Sequence, residues 1–127
     1  MPHRVLVVDD DTEIRDSLME VLRDHGYEVL GASNGRDALD KLQGAGESLP
    51  CMIFLDLMMP VMDGAAFREE QLRQPELAAI PVVVISAYRD LADKVKAMQL
   101  SEHLGKPLRL DDLIAAARRH CPEPAAA

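Results

Sequence analysis

Short apolar runs alternate with stretches of helical period along the whole chain. Arg4 to Val8, Tyr27 to Ala32, Cys51 to Leu55 and Pro81 to Ile85 are rich in Val, Leu and Ile, and a weaker fifth run spans Glu102 to Leu104. Runs this short, with little alternation of polar residues, are the pattern of strands buried on both faces. Between them apolar residues recur three or four apart. That alternation predicts five strands and five helices in an α/β arrangement, a parallel sheet covered on both sides.

The first helix has the clearest bounds: Asp11 or Thr12 as N-cap, a stripe of Ile14, Leu18, Val21 or Leu22 and His25 read as core, and Gly26 placed to stop it. The second starts at Asn34-Gly35, uses Ala38, Leu39 and Leu42, and ends toward Gly44 and Gly46. The third, from Ala65 to about Arg73, has a poor stripe and is closed by Gln74-Pro75. Leu91, Val95 and Met98 mark a fourth helix. Leu110, Leu113, Ile114 and Ala117 mark a fifth, which stops before Cys121-Pro122. Residues 1–121 are expected to form one domain, with 122–127 as a short tail that has nothing to bury.

A chain of 127 residues with 48% hydrophobic content fits one domain with a real core. Aromatics are only 3% and Trp is absent, so packing must rest on aliphatic side chains and the seven Met. The net charge of −8 argues against direct binding to nucleic acid or to an anionic membrane surface, both of which need a basic footprint. Cations and basic patches on proteins suit it better. Only Val5 to Val8 precede three consecutive acids, too short a run for a signal peptide, and no run approaches a membrane span, so a cytoplasmic location is expected. Cys51 and Cys121 have neither C-x-x-C spacing nor a nearby His, and neither a zinc site nor a disulfide is expected of them. Cys51 reads as the start of a buried strand and Cys121 as the residue after the last helix.

In an open parallel sheet the ligand crevice lies at the carboxyl ends of the strands. The first strand ends in Asp9 and Asp10, the third in Asp56, the fourth in Ser86 and the fifth in Lys106. The second runs into Ala32-Ser33-Asn34 without a charge, as suits an edge strand in a doubly wound sheet of order 2-1-3-4-5. Three carboxylates, a hydroxyl and an ammonium describe a site for a dianionic group beside a divalent metal. Hard oxygen ligands without His or Cys favour Mg²⁺, which together with Lys106 would offset the repulsion among the acids. Ser86 and Lys106 are suited to hold phosphoryl oxygens. Other features have plainer uses: Asp11 as a helix cap, Met58, Met59 and Met62 as packing, and Arg118-Arg119 as complements to a helix dipole.

Val7-Val8-Asp9-Asp10-Asp11, Leu55-Asp56-Leu57-Met58-Met59-Pro60-Val61-Met62-Asp63-Gly64, Val84-Ile85-Ser86-Ala87 and Lys106-Pro107-Leu108 resemble, in order and spacing, the four signatures of the receiver domain of two-component response regulators. The likeness spans nearly the whole chain. It implies a flavodoxin-like (CheY-like) fold and a part in phosphorelay signal transduction: Asp56 as the phosphoacceptor, taking its phosphoryl group from a sensor histidine kinase or a histidine phosphotransfer protein. It further implies that Asp10, Asp56 and the Met58 backbone carbonyl bind Mg²⁺, with Asp9 acting directly or through water. Ser86 would be the switch hydroxyl and Lys106 the phosphate-sensing lysine, followed by a cis Lys-Pro bond. Such a domain is not an enzyme acting on a separate substrate. It assists its own phosphorylation and dephosphorylation, and switches a protein-binding face made of the fourth helix, fifth strand and fifth helix.

The chain departs from the family pattern in two places. His103 stands where many relatives have an aromatic switch residue, and Gln99-Leu100 stands where they have Gly-Ala. A ring that titrates near neutrality would make the output face pH-sensitive. Bulky Met58 and Tyr88, at positions that in this family bias water access to the acyl phosphate, would slow self-hydrolysis.

Two other readings compete. The chain could be the receiver part of a longer regulator whose effector domain lies beyond Ala127, which the length of the reading frame would decide. Alternatively it could be a small Mg²⁺-dependent aspartyl phosphatase of the haloacid dehalogenase type, but Asp9-Asp10-Asp11-Thr12-Glu13 does not match that motif and the chain is short for such an enzyme. A flavin-binding module of similar topology lacks the phosphate-cradling run and the stacking aromatics it would need.

Overall fold

The Val- and Leu-rich runs form the strands expected of them. The computed structural model describes residues 4–45, 49–56, 64–86, 102–105 and 109–121. Among these, β1 (Arg4–Val8), β2 (Glu28–Ala32), β3 (Met52–Asp56), β4 (Val82–Ser86) and β5 (Glu102–Gly105) make one parallel sheet in the order β2-β1-β3-β4-β5. The helices are α1 (Thr12–Asp24), α2 (Gly35–Gln43), α3 (Gly64–Arg73), the short α4 (Pro75–Ala78) and α5 (Leu110–His120). Strand bounds differ from the apolar runs by a residue or so. Asp56 is itself the last residue of β3.

Because successive strand side chains point to opposite faces, each run feeds two cores. Leu6, Val8, Ile53, Leu55, Val82 and Val84 pack with Ala38, Leu39 and Leu42 of α2 and Phe67 of α3. Val5, Val7, Phe54, Val83 and Ile85 pack on the other face, with Leu18 and Leu22 of α1 and Leu113, Ile114 and Ala117 of α5. This is why the runs lack polar alternation: both faces of the sheet are dry.

Helix ends follow local chemistry. Asp11 caps α1 by accepting from the Ile14 N–H at 3.1 Å, and Gly26 leaves the helix at φ +92°, a conformation that L side chains rarely adopt. Asn34 caps α2 by accepting from the Asp37 N–H at 2.9 Å. Pro at the start of α4 opens a single turn that the sequence pattern did not predict. The expected helix at Leu91, Val95 and Met98 lies outside the described residues.

Three expectations are corrected. The α1 stripe is core only in its middle: Leu18 and Leu22 are buried, whereas Ile14 (41%) and His25 are exposed. Leu110, at the start of α5, is likewise exposed (55%). A stripe is covered only where the sheet lies beneath it, and these residues sit in end turns. The cysteines are also not isolated: Cys51 and Cys121 are joined by a disulfide, with their Cα atoms 5.5 Å apart across 70 residues of sequence. Packing of α5 on β3 brings them together, and no spacing rule in the sequence reports that.

The poor stripe of α3 also has a physical reason. Its buried residues include Arg68 and Gln71 beside Phe67, so part of its inward face is polar. Gln71 Oε1 accepts from Arg68 Nη1 at 2.7 Å, and Gln71 Nε2 donates to the carbonyls of Leu77 (2.8 Å) and Ile80 (3.1 Å). A buried amide satisfied in this way replaces an apolar contact.

Candidate functional site

Strand register assembles the site. Val8 pairs with Leu55 across β1 and β3, so Asp9 and Asp56, the next residues on each chain, come out side by side at the carboxyl edge. Asp10 follows immediately. Ligand oxygens of Asp9, Asp10 and Asp56 all lie within 4.8 Å of one another. Asp9 and Asp56 are buried (3% and 6% exposed), while Asp10 faces solvent.

Among the described residues, backbone groups and the Arg15 guanidinium hold Asp9. Asp9 N–H donates to the Ala32 carbonyl at 3.0 Å, extending the β1–β2 ladder by one residue. The Asp11 N–H donates to Asp9 Oδ1 at 2.9 Å, which fixes the carboxylate from its own turn. Asp11 spends its side chain on the α1 cap, as expected from the sequence. Arg15 Nη1 donates to the Asp9 carbonyl at 2.8 Å, a contact the sequence reading missed. The signal was present, because a cation in the first turn opposes the helix dipole and a helical side chain leans toward the N-terminus, where the acids are.

On the other side, Asp56 pairs with Ile85, so Ser86 stands one residue further along β4, opposite Gly105. The backbone of Ser86 is therefore at the same edge as the three acids. Its side chain and that of His103, together with Met58, Tyr88, Lys106 and Pro107, lie outside the described residues.

Charges at such separations repel strongly. At 4.8 Å, a pair of unit charges costs about 3–4 kcal/mol with an effective dielectric of ~20. Only a fraction of that applies to pairs that include Asp10, which is open to solvent and screened by it. The donor set is all carboxylate oxygen, partly open to solvent through Asp10, and it could hold a hard divalent cation that keeps some of its waters. None of the three acids lines the cleft of about 560 Å³ between α1 and α5, which is bounded by Val21, His25, Leu110, Ile114 and Arg118. No helix among the described residues is long and apolar enough to cross a membrane.

Comparison with known proteins gives one answer from sequence and structure. The family model for the response regulator receiver domain matches residues 5–118. Response regulator MprA of Mycolicibacterium vanbaalenii is 36% identical over 122 residues, which cover 93% of this chain and 50% of that protein. Transcriptional regulatory protein PdtaR of Mycobacterium tuberculosis is 33% identical over 117 residues, covering 91% and 55% respectively. The chain thus spans about half the length of these curated relatives. The chemotaxis response regulator CheY4 of Vibrio cholerae has the same fold, with a TM-score of 0.84 and 31% identity over 94% of this chain and 98% of that one.

Proposed function

This chain belongs to the response regulator receiver family, and from that premise we propose that Asp56 is a phosphoacceptor in a two-component phosphorelay. A sensor histidine kinase or histidine phosphotransfer protein presents a phosphohistidine. An Asp56 carboxylate oxygen takes the phosphoryl group, the P–N bond breaks as a P–O bond forms, and the departing imidazole takes up a proton. The observation that carries this reading is the gathering of three carboxylates within 4.8 Å at adjacent strand ends, with Asp56 in the buried position.

Asp10, Asp56 and the Met58 carbonyl would hold Mg²⁺, with Asp9 acting directly or through water. When bound, the ion would supply charge neutralisation for the phosphoryl oxygens beside Asp56. Asp9, itself fixed by the Asp11 N–H and the Arg15 contact, keeps the acidic cradle in place. Ser86 and Lys106 take the remaining phosphoryl oxygens, one by a hydrogen bond and the other as a point charge. Moving toward the phosphoryl group, they shift a protein-binding face that includes β5 and α5 between two arrangements. In this reading residues 1–121 are the receiver unit, the protein works in the cytoplasm, and it catalyses nothing beyond its own modification.

Exposed Ile14 and Leu110 begin α1 and α5, and helices antiparallel to the strands start at the edge where the acids sit. They are the apolar contacts offered to the phosphodonor protein. The decisive experiment treats the protein with acetyl phosphate, with and without Mg²⁺, and weighs it intact. The expected result is one added phosphoryl group that requires Mg²⁺ and is absent in Asp56→Asn. A wild-type protein that gains nothing, or a mutant that gains the same mass, defeats the proposal. Rapid turnover of the phosphodonor with no stable adduct would instead mark a phosphatase.

A further inference from the structure

The opposite edge of the sheet carries chemistry that phosphoryl acceptance does not use. Cys51 immediately precedes β3 and Cys121 immediately follows α5. Their Cα separation of 5.5 Å is in the range at which two cysteines bridge without backbone movement. The two sulfurs differ in access, since Cys121 is fully buried and Cys51 is half-buried.

Both residues are anchored independently of the sulfur bond. The Cys51 N–H donates to the Arg4 carbonyl at 2.8 Å, and the Cys121 N–H donates to the Ala117 carbonyl at 2.7 Å. The Cys51 sulfur also lies 3.1 Å from the Arg4 carbonyl, which in the thiol form accepts its S–H. The pair can therefore be opened without dismantling the backbone around it. In a reducing compartment thiol is the resting state, and a shift in the small-molecule disulfide pool closes the bond.

We infer that Cys51 and Cys121 form a redox-responsive staple, in which a low-molecular-weight disulfide enters at Cys51, Cys121 resolves it, and the product pins the end of α5 to the start of β3. The Cys51 thiolate attacks the small disulfide and releases one thiolate. The Cys121 thiolate then attacks Cys51 in the mixed disulfide and releases the second. Two protein thiols lose two protons and two electrons, and one small disulfide becomes two thiols. The bond fixes the last turn of a helix whose Leu113, Ile114 and Ala117 are buried in the core. The staple needs neither Asp56 nor a metal, so its test is separate from that of phosphorylation.

The test incubates the folded, reduced protein with oxidised glutathione and follows its intact mass. The expected product is lighter than the dithiol by two hydrogens, is restored by dithiothreitol without denaturant, and melts roughly 10 °C higher, given the span of 70 residues that the bond closes. Cys121→Ala should stop at a glutathione adduct on Cys51. Should that variant not fold, pulsed alkylation of the reduced wild type replaces it, with Cys51 labelled before Cys121. A wild type that keeps both thiols or retains a glutathione adduct, a bond that resists dithiothreitol until the protein unfolds, or earlier labelling of Cys121 would overturn the inference.

Discussion

The two edges of the sheet are built on opposite terms. At the amino edge, Arg4 pairs with Glu28 across the start of β1 and β2, Cys51 and Cys121 are covalently joined, and Gln71 ties down the carbonyls that lead into β4. At the carboxyl edge, three like charges are held within 4.8 Å, two of them buried. The same five strands supply both edges. One edge carries paired and cross-linked groups, and the other gathers like charges that a bound divalent cation would offset. Function here is local destabilisation tolerated by a scaffold anchored at its other end.

The strongest way to break this contrast is at Gln71. Gln71→Leu keeps the volume but removes the Nε2 donor from two buried carbonyls and the acceptor from Arg68 Nη1. A loss of about 2–3 kcal/mol is expected in denaturant titration, the usual cost of stranding buried polar groups. Phosphorylation of the folded fraction by acetyl phosphate should be unchanged. Reduced acceptor activity in folded protein would show that the two edges are not separable.

Asp10→Asn should move stability the other way. It removes one of three mutually repelling charges while keeping the shape, and because Asp10 is exposed the full Coulomb figure does not apply. A gain of about 1 kcal/mol is expected in the absence of divalent ions. On the proposed Mg²⁺ role, the wild type should gain stability from the ion in thermal melts and this variant should lose most of that gain. An apo variant no more stable than the wild type would mean that the cluster is not under electrostatic load.

These two sites also show what was legible in the chain. The strands were legible as short apolar runs, and the gathering of Asp9, Asp10 and Asp56 followed once the doubly wound order was assumed, because adjacent strand ends in a parallel sheet need only that order to be placed. Asp11 as a cap and Asn34-Gly35 as the start of α2 were equally local. Gln71 was not legible: a polar residue on a poor helical stripe looks exposed until the carbonyls it satisfies are known, and those come from the following turn. The Cys51–Cys121 bond was hidden for the same reason, since it depends on where α5 lands on the sheet. Ile14, His25 and Leu110 read as core because periodicity tells which side of a helix faces inward, not how far the sheet extends beneath it.

A smaller effect sharpens the picture at the carboxyl edge, where Asp37 is a carboxylate that its surroundings favour. Burial works against its charge, but the Ser33 N–H at 3.0 Å and the Lys41 ammonium outweigh it and hold its pKa below the ordinary 3.8. A carboxyl depressed in the folded state contributes stability above its unfolded pKa and loses it as pH falls through the lower folded value. The expected outcome for Asp37→Asn is a shallower decline of stability below pH 3.8, measured by acid titration at constant ionic strength. An unchanged slope would remove Asp37 from the acid response.

The smallest expected effect is at Glu28, and its size separates burial from charge as the cause of the contrast. Glu28 accepts from Arg4 at 2.9 Å, closer than the acids across the sheet need be to one another, yet its side chain is 54% exposed. Water screens such a pair and side-chain entropy opposes it, so Glu28→Gln should cost about 0.5 kcal/mol or less, and the difference should vanish in high salt. If removing this favourable pair cost as much as removing Asp10 gains, distance alone would set electrostatic energies in this sheet. A near-zero value for Glu28 beside a clear gain for Asp10 would mean that the two buried carboxylates beneath Asp10 give that edge its load.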